Sequence, residues 1–225
     1  MVKTYYLETY GCQMNVADSE IIKNIMSNEG YVISSNILKA DAIFVNTCAI
    51  RDHAEEKIHS QLGRFDKIKK EKPETIIGVL GCMAQNLKHD LLENRPFVDI
   101  VLGPDSYRRL PSLLKRRELK SNSIVDTTLS RFEVYDGLFP HRDKGGVNAW
   151  VSIMRGCDKF CTFCIVPFTR GRERSRDIDS ILYEVNEAVR EGFSEITLLG
   201  QNVNSYNYTQ INFEQLLRTI AKISS

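Results

Sequence analysis

The chain has 225 residues, of which 42% are hydrophobic and 26% are charged, values that are ordinary for a globular protein of one large or two small domains. Its formal net charge is only +1, so the overall charge gives no argument for a nucleic-acid partner, and any such surface must be local. No apolar stretch approaches the length of a membrane span, and the N-terminus has no apolar signal core, so we expect a cytoplasmic protein that binds no membrane. Six cysteines in the reducing cytoplasm indicate metal or redox chemistry, with disulfides or scattered core cysteines as the less favoured alternatives.

The first 120 residues repeat one pattern, in which an apolar, β-rich segment leads into a cysteine and a helical segment follows. The segments that end in cysteine are 5–12, 42–48 and 76–82; helices are predicted at about 18–29, after 48 as far as about 70, and at 84–93; a further strand and helix follow at 98–103 and 107–117. Strands that alternate with helices and are apolar almost throughout predict a doubly wound α/β fold, with a parallel sheet covered on both faces.

Cys12, Cys48 and Cys82 each stand at the carboxyl end of a predicted strand and before a predicted helix. They are 36 and 34 residues apart, about one βα unit each, so parallel strands should bring them to one edge of the sheet. Ligands bind at that edge in such folds, and a helix N-terminus favours a thiolate. We therefore expect one convergent site, with three unrelated buried cysteines as the alternative.

The pattern lapses in a segment rich in glycine, proline and charge, which predicts an N-terminal domain at 1–136, a linker at 137–148 and a second domain at 149–225. The elements predicted in the second domain are a strand at 149–154, a helix at 178–190, a strand at 195–200, a polar loop at 201–208 and a helix at 213–223. Two parallel strands are too few for a stable core. We therefore expect the chain to be a piece of a longer protein, with only the beginning of a second βα-repeat domain.

The loop after the first strand of the second domain holds the most informative motif, in which Cys157, Cys161 and Cys164 have the spacing Cys-x3-Cys-x2-Cys. Three thiolates can hold a four-iron cluster but leave one iron without a cysteine ligand, which makes the site reactive. Structural zinc, the alternative, needs four ligands, and all four histidines precede this loop. An iron–sulfur cluster with one open iron is therefore the favoured interpretation.

This motif, with the aromatic Phe163 before its last cysteine, resembles the signature of the radical S-adenosylmethionine enzymes. The resemblance implies that the open iron binds the amino and carboxylate groups of S-adenosyl-L-methionine, and that an electron from the cluster cleaves this cofactor to a 5′-deoxyadenosyl radical. It also implies that Phe163 lies near the adenine of the cofactor. A core aromatic residue is the alternative interpretation of Phe163.

Three N-terminal segments, 8–15, 45–51 and 79–85, resemble the three cysteine blocks of the methylthiotransferase family, and the resemblance covers essentially the whole chain. It implies a second [4Fe-4S] cluster on Cys12, Cys48 and Cys82, whose open iron carries the sulfur or methylthio group. The expected fold is thus a methylthiotransferase domain followed by the beginning of a radical S-adenosylmethionine partial barrel. The resemblance also implies an external electron donor, such as a flavodoxin or ferredoxin. We expect the protein to be a monomer.

Two further segments, 161–176 and 198–206, resemble the branch of the family that modifies the tRNA anticodon stem-loop. The enzymes of that branch are transferases that add a methylthio group to C2 of N6-(dimethylallyl)adenosine beside the anticodon. The resemblance implies two equivalents of S-adenosylmethionine, one that methylates a sulfur and one whose radical abstracts hydrogen from C2. Sibling branches act on threonylcarbamoyladenosine in tRNA or on an aspartate of a ribosomal protein. A non-catalytic electron-transfer module is the alternative from another class, and no acid–base residue is nominated.

Polar residues near the second motif have two interpretations each. Arg170, Arg172, Arg174 and Arg176 alternate with Gly, Glu and Ser, and they could bind tRNA phosphates or the cofactor carboxylate, or form a solvated loop with ion pairs through Glu173. Gln201 and Asn202 follow the second strand of the barrel. The resemblance places them near the methionyl part of the cofactor, and loop-capping amides are the alternative.

Overall fold

The computed structural model describes residues 3–49, 52–119, 122–142 and 146–223. The predicted linker at 137–148 lies partly outside the described residues, at 143–145, and so do the outer ends of both predicted domains. In the part of the chain that is described, no helix is long and apolar enough to span a membrane.

The N-terminal region alternates strands and helices as the sequence predicts. Its elements are β1 (Thr4–Tyr10), α1 (Gln13–Asn28), β2 (Val32–Ile33), β3 (Ala42–Thr47), α2 (Asp52–Glu71), β4 (Ile76–Gly81), α3 (Cys82–Leu87), α4 (His89–Asn94), β5 (Ile100–Leu102), α5 (Leu110–Leu119) and β6 (Ile124–Asp126). Within the described ranges the six strands form one parallel sheet in the order β2-β1-β3-β4-β5-β6. The sequence analysis did not predict the short strands β2 and β6.

Alternate residues of the central strands pack on opposite faces of this sheet. Phe44 of β3 packs with residues of α1 and α5, whereas its neighbours Ile43 and Val45 pack with residues of α2 and α3. Every residue of β3 and β4 is buried, as expected for strands covered on both faces. The predicted doubly wound fold is therefore confirmed.

Two predicted helices differ from those observed. Helix α1 begins at Gln13, five residues before the predicted start, because Cys12 is its N-cap and the Asn15 side chain accepts from the Cys12 backbone N–H at 3.3 Å. The helix predicted at 84–93 is divided into α3 and α4 at Lys88, whose backbone has a φ of 51°.

The C-terminal region has a parallel strand pair with helices packed against it. Its elements are β7 (Asn148–Ser152), β8 (Met154–Arg155), α6 (Val166–Thr169), β9 (Arg174–Ser175), α7 (Ile178–Arg190), β10 (Glu195–Leu199), β11 (Asn207–Tyr208), β12 (Ile211–Asn212) and α8 (Phe213–Ile220). Strand β10 pairs with β7 in parallel, and α7 packs Ile181 and Val185 against the apolar cluster that contains Val151 of β7. The predicted helix at 178–190 is confirmed, whereas the strand predicted at 149–154 is interrupted at Ile153.

Candidate functional site

The three N-terminal cysteines lie together, as the strand-end argument predicts. Cys12, Cys48 and Cys82 line one cavity of about 180 Å³ beyond the carboxyl ends of β1, β3 and β4. The chain reverses its winding direction between the adjacent strands β1 and β3, which is where ligands bind in doubly wound sheets. The remaining walls are Met14, Val166, Thr169, Arg170, Gly200 and Gln201, so both regions of the chain build this cavity.

A close approach of two strand ends brings Cys12 and Cys48 together. Gly11 has a φ of +135°, and a Cβ at this position would lie 2.8 Å from the Cβ of Cys48. Only glycine fits there without displacing the cysteine. Cys82 is the first residue of α3, directly after β4, so the third thiol also starts a helix at this edge.

The surroundings of the cavity shift two of the thiol pKa values in opposite directions. A hydrogen bond with Cys48 lowers the pKa of Cys12 to about 5, aided by the charge of Arg170 and opposed by burial. Burial raises the pKa of Cys82, and the Arg170 guanidinium counteracts this effect only in part. Since the thiolate is the form that binds metals, Cys12 is already prepared as a ligand at neutral pH.

The cysteine sets suit a cluster better than a single ion. Within the described residues, no three His, Cys, Asp or Glu side chains are arranged to hold one metal ion. A four-iron cluster has a different requirement, because each thiolate binds its own iron and the ligands stand around a larger body. The six cysteines, all of which lie in the described residues, form no disulfide, and Cys48 and Cys82 are only 3% and 4% exposed. Three thiols around one cavity therefore supply the kind of ligand that an iron–sulfur cluster requires.

The second set of cysteines occupies the loop between β8 and α6. Cys157 is buried, Cys164 is half-buried and Cys161 is exposed. The loop is fixed at its start, where the Cys157 N–H donates to the Gly171 carbonyl oxygen at 3.2 Å. Phe163 is 91% exposed, so the interpretation as a core aromatic residue is wrong.

Three of the four arginines in the predicted basic loop are buried and paired. Arg170, Arg174 and Arg176 are 3%, 8% and 4% exposed, and their carboxylate partners are Asp18, Asp105 and Glu184 respectively. The interpretation as a solvated loop is therefore wrong for these three. Their buried, paired guanidinium groups are poorly placed to contact an RNA phosphate at the surface. Arg172 differs, since its side chain is 65% exposed and pairs with the exposed Asp158 at 3.1 Å.

The two amides after β10 have different surroundings. Gln201 lines the N-terminal cysteine cavity, and its Oε1 atom is buried without a hydrogen-bond partner in the described part of the chain. Asn202 donates to the Ser205 hydroxyl and is the N-cap residue of the 3-10 turn at Val203–Ser205, but its side chain makes no capping hydrogen bond to the backbone of that turn.

Sequence reasoning missed a buried carboxylate at the junction of the two regions. Asp18 of α1 is 1% exposed, and it accepts from Arg155 at 2.8 Å and from Arg170 at 2.9 Å. Burial alone would raise the pKa of Asp18, but the two guanidinium charges more than offset that effect and hold it below its usual range. The sequence did contain one indication that Asp18 is buried. Asp18 lies three and four residues before the buried Ile21 and Ile22, which places it on the core face of the helix.

Comparison with known proteins assigns a class to each region. Residues 4–103 match the family described as "Uncharacterized protein family UPF0004", and residues 151–224 match the "Radical SAM superfamily". The fold also resembles the radical S-adenosylmethionine methyltransferase TsrM from Kitasatospora setae, with a TM-score of 0.65 and 11% identity over 96% of this chain and 50% of that one. At that identity the likeness concerns the fold alone. The chain is thus a radical S-adenosylmethionine protein with a UPF0004 domain.

Curated relatives narrow this class. The chain is 50% identical to the tRNA-2-methylthio-N(6)-dimethylallyladenosine synthase of Bacteroides thetaiotaomicron, over 98% of this chain and 49% of the relative. It is 47% identical to the synthase of the same name from Amoebophilus asiaticus, over 99% of this chain and 49% of the relative. The chain therefore belongs to the methylthiotransferase family, and it spans about half the length of the curated relatives that it matches.

Proposed function

We propose that this chain is the cluster-binding portion of a tRNA methylthiotransferase, which adds a methylthio group to C2 of N6-(dimethylallyl)adenosine beside the anticodon. The observation that carries the proposal is the cavity that Cys12, Cys48 and Cys82 line together with residues from the radical S-adenosylmethionine region. Relatives about 50% identical to the chain are named as synthases of that product. Such a transfer requires that the site carrying the sulfur lie next to the region that forms the radical.

In this proposal, Cys12, Cys48 and Cys82 would hold one [4Fe-4S] cluster, and Cys157, Cys161 and Cys164 would hold the other. The second cluster, when bound with S-adenosyl-L-methionine, would supply the radical chemistry needed at C2 of the adenine. The protein contributes geometry and exclusion of water.

The contacts of other residues define their proposed roles. Phe163, exposed beside Cys164, is suited to pack on the adenine of the cofactor. Gln201 remains a candidate for the methionyl part, because its Oε1 atom has no partner in the described residues. Asn202 is already engaged with Ser205, which makes it the weaker candidate. Arg172 is the arginine of its loop that is exposed enough to bind an RNA phosphate.

The proposed setting is the cytoplasm, with the protein acting as a monomer on the tRNA anticodon stem-loop. An external reductant such as a flavodoxin or ferredoxin would deliver the electron. A compartment that keeps thiols reduced suits a protein whose six cysteines form no disulfide in the described part of the chain.

Metal analysis after anaerobic reconstitution tests the two cluster sites. We expect about eight irons and as many sulfides per chain, which corresponds to two four-iron clusters. Changing Cys157, Cys161 and Cys164 together to Ala should halve both counts, and the same change at Cys12, Cys48 and Cys82 should remove the other half. Stoichiometric zinc without sulfide would contradict the proposal.

Two further measurements separate the rival functions. An electron-transfer module would give cluster spectra that do not respond to added S-adenosylmethionine, whereas we expect a response that requires Cys157, Cys161 and Cys164. The substrate is tested by mass analysis of tRNA nucleosides from cells that lack the gene. If 2-methylthio-N6-(dimethylallyl)adenosine persists there at an unchanged level, the assignment to this branch of the family is overturned.

A further inference from the structure

The guanidinium group of Arg170 lies in the wall of the N-terminal cysteine cavity, and only one of its two terminal nitrogens is bound to a carboxylate. Arg170 is the residue directly after α6, and it is only 3% exposed. Its Nη2 atom donates to Oδ2 of Asp18 at 2.9 Å. Its Nη1 atom is buried and has no well-formed hydrogen bond among the described residues, and the guanidinium group also interacts with the Cys82 thiol through a hydrogen bond that counteracts in part the rise that burial causes in the pKa of that thiol. A buried charged donor without a well-formed hydrogen bond is costly, so this atom is expected to gain a partner in the cavity.

The carboxylates around Arg170 do not balance the arginines by themselves. Three buried arginines, Arg155, Arg170 and Arg174, face two buried aspartates, Asp18 and Asp105, at this junction. The guanidinium charges thus exceed the carboxylate charges by one, and the thiolate of Cys12 in the cavity wall is the protein group that offsets this excess. Burial raises the pKa of Asp105, which does not reduce that excess. Buried charges are normally compensated, and the cysteine cavity that Arg170 lines is the adjoining place for an anion.

We propose that Arg170 donates from Nη1 to a sulfur of the cluster assigned to Cys12, Cys48 and Cys82, and that its charge raises the reduction potential of that cluster. The inference rests on the proposed function, because it requires a cluster at this site. A cluster gains negative charge when it is reduced, so a fixed buried cation beside it stabilises the reduced form. Hydrogen bonds to cluster sulfurs act in the same direction. Asp18 is the positioning residue in this arrangement, because its carboxylate binds the Nη2 end and leaves Nη1 free.

The test compares reduction potentials in a protein that can hold only this cluster. Changing Cys157, Cys161 and Cys164 to Ala in the full chain provides that parent. Arg170→Gln removes the charge, and Arg170→Lys keeps the charge without the forked donors. Arg142→Gln is the matched control, because Arg142 is also a buried arginine paired with a buried glutamate, Glu184, but it does not line the cavity. Iron and sulfide are counted first, and the potential is then measured by redox titration followed by electron paramagnetic resonance.

We expect Arg170→Gln to shift the potential to a more negative value, Arg170→Lys to lie between that variant and the parent, and Arg142→Gln to match the parent. A fully loaded Arg170→Gln variant with the parent's potential would overturn the inference. An equal shift in Arg142→Gln would also overturn it, because the shift would then reflect general loosening. If Arg170→Gln does not retain iron, Arg170→Lys tests the hydrogen bond: a more negative potential supports donation from Nη1, and the parent's potential refutes that donation. A parent that binds no iron contradicts the proposed function itself, and the metal count identifies that case.

Discussion

Asp18 and Arg155 are 137 residues apart in the sequence, yet Oδ1 of Asp18 accepts from Nη1 of Arg155 at 2.8 Å. Both side chains are only 1% exposed. Asp18 lies on α1, whose N-cap is Cys12, and Arg155 stands two residues before Cys157. This ion pair therefore fixes the position of one cysteine set relative to the other, across the junction of the two regions.

Replacing Asp18 by Ala should destabilise the protein strongly. The change leaves the guanidinium groups of Arg155 and Arg170 buried without their shared carboxylate. Breaking a buried ion pair by removing one partner typically costs about 3–5 kcal/mol. We expect a loss of that size in the free energy of unfolding, measured by urea denaturation. Asp18→Asn should lose less, because the amide oxygen still accepts a hydrogen bond.

An exposed ion pair provides the comparison for Asp18. Glu214 and Arg218 pair on the surface of α8, with side chains 69% and 73% exposed. Glu214→Ala should change the free energy of unfolding by no more than about 0.5 kcal/mol. If Asp18→Ala falls within the same range, the buried pair does not hold the two regions together.

The N-terminal cysteine site was predictable because its determinants are local. Each thiol follows an apolar strand, and the geometry of a parallel sheet then brings Cys12, Cys48 and Cys82 to one edge. The early start of α1 was not predicted, because it depends on a side-chain contact between Asn15 and the backbone of Cys12. Helix propensity summed over a window of residues gives no information about that contact.

The buried arginines could not be recognised from their own segment. Arg170 and Arg174 alternate with small and polar residues, a pattern that is typical of a surface loop. Their partners Asp18 and Asp105 stand 152 and 69 residues away, so the pairing follows from tertiary packing. The local sequence contains no signal for it.

Gly156→Ala should remove the second cluster site and spare the first. Gly156 has a φ of +77°, and a Cβ there would lie 2.0 Å from the carbonyl oxygen of Arg172, so the loop that carries Cys157 must move. We expect a reconstituted Gly156→Ala variant to bind about four irons in place of about eight. Gly192→Ala is the control, because Gly192 has a similar φ of +88° but open space around its Cβ position. That variant should lose about 1–2 kcal/mol of stability and keep its iron, and equal iron loss in both variants would contradict the steric explanation.

Gly63→Ala should stabilise the protein. Gly63 is an exposed residue inside α2, and an added Cβ would meet no atom within 4 Å. Alanine is favoured over glycine in a helix interior by about 1 kcal/mol. The midpoint of urea unfolding should rise accordingly, with no change in iron content. A fall in the midpoint would show that the helix does not persist around this position in solution.

Phe163→Ala should weaken cofactor binding without a loss of stability. Truncating a phenylalanine in a protein core costs about 3–5 kcal/mol, but Phe163 is 91% exposed, so the free energy of unfolding should change by no more than about 0.5 kcal/mol. If the ring packs on the adenine, its removal should cost about 1 kcal/mol of binding, or roughly fivefold in Kd for S-adenosylmethionine.

The affinity of the cluster-loaded protein for S-adenosylmethionine checks this prediction, with Phe168→Ala as the control. Phe168 is also exposed, at 66%, and it lies four residues after Cys164 on α6, where its ring meets the edge of Phe160 in the cysteine loop. Because Phe168 is itself outside the Cys-x3-Cys-x2-Cys loop, its removal should disturb the packing of the loop without removing the ring proposed to contact the adenine, and the Kd should change less than in Phe163→Ala. Equal losses of affinity in the two variants would mean that general disturbance of the exposed surface, and not contact of Phe163 with the adenine, accounts for the effect.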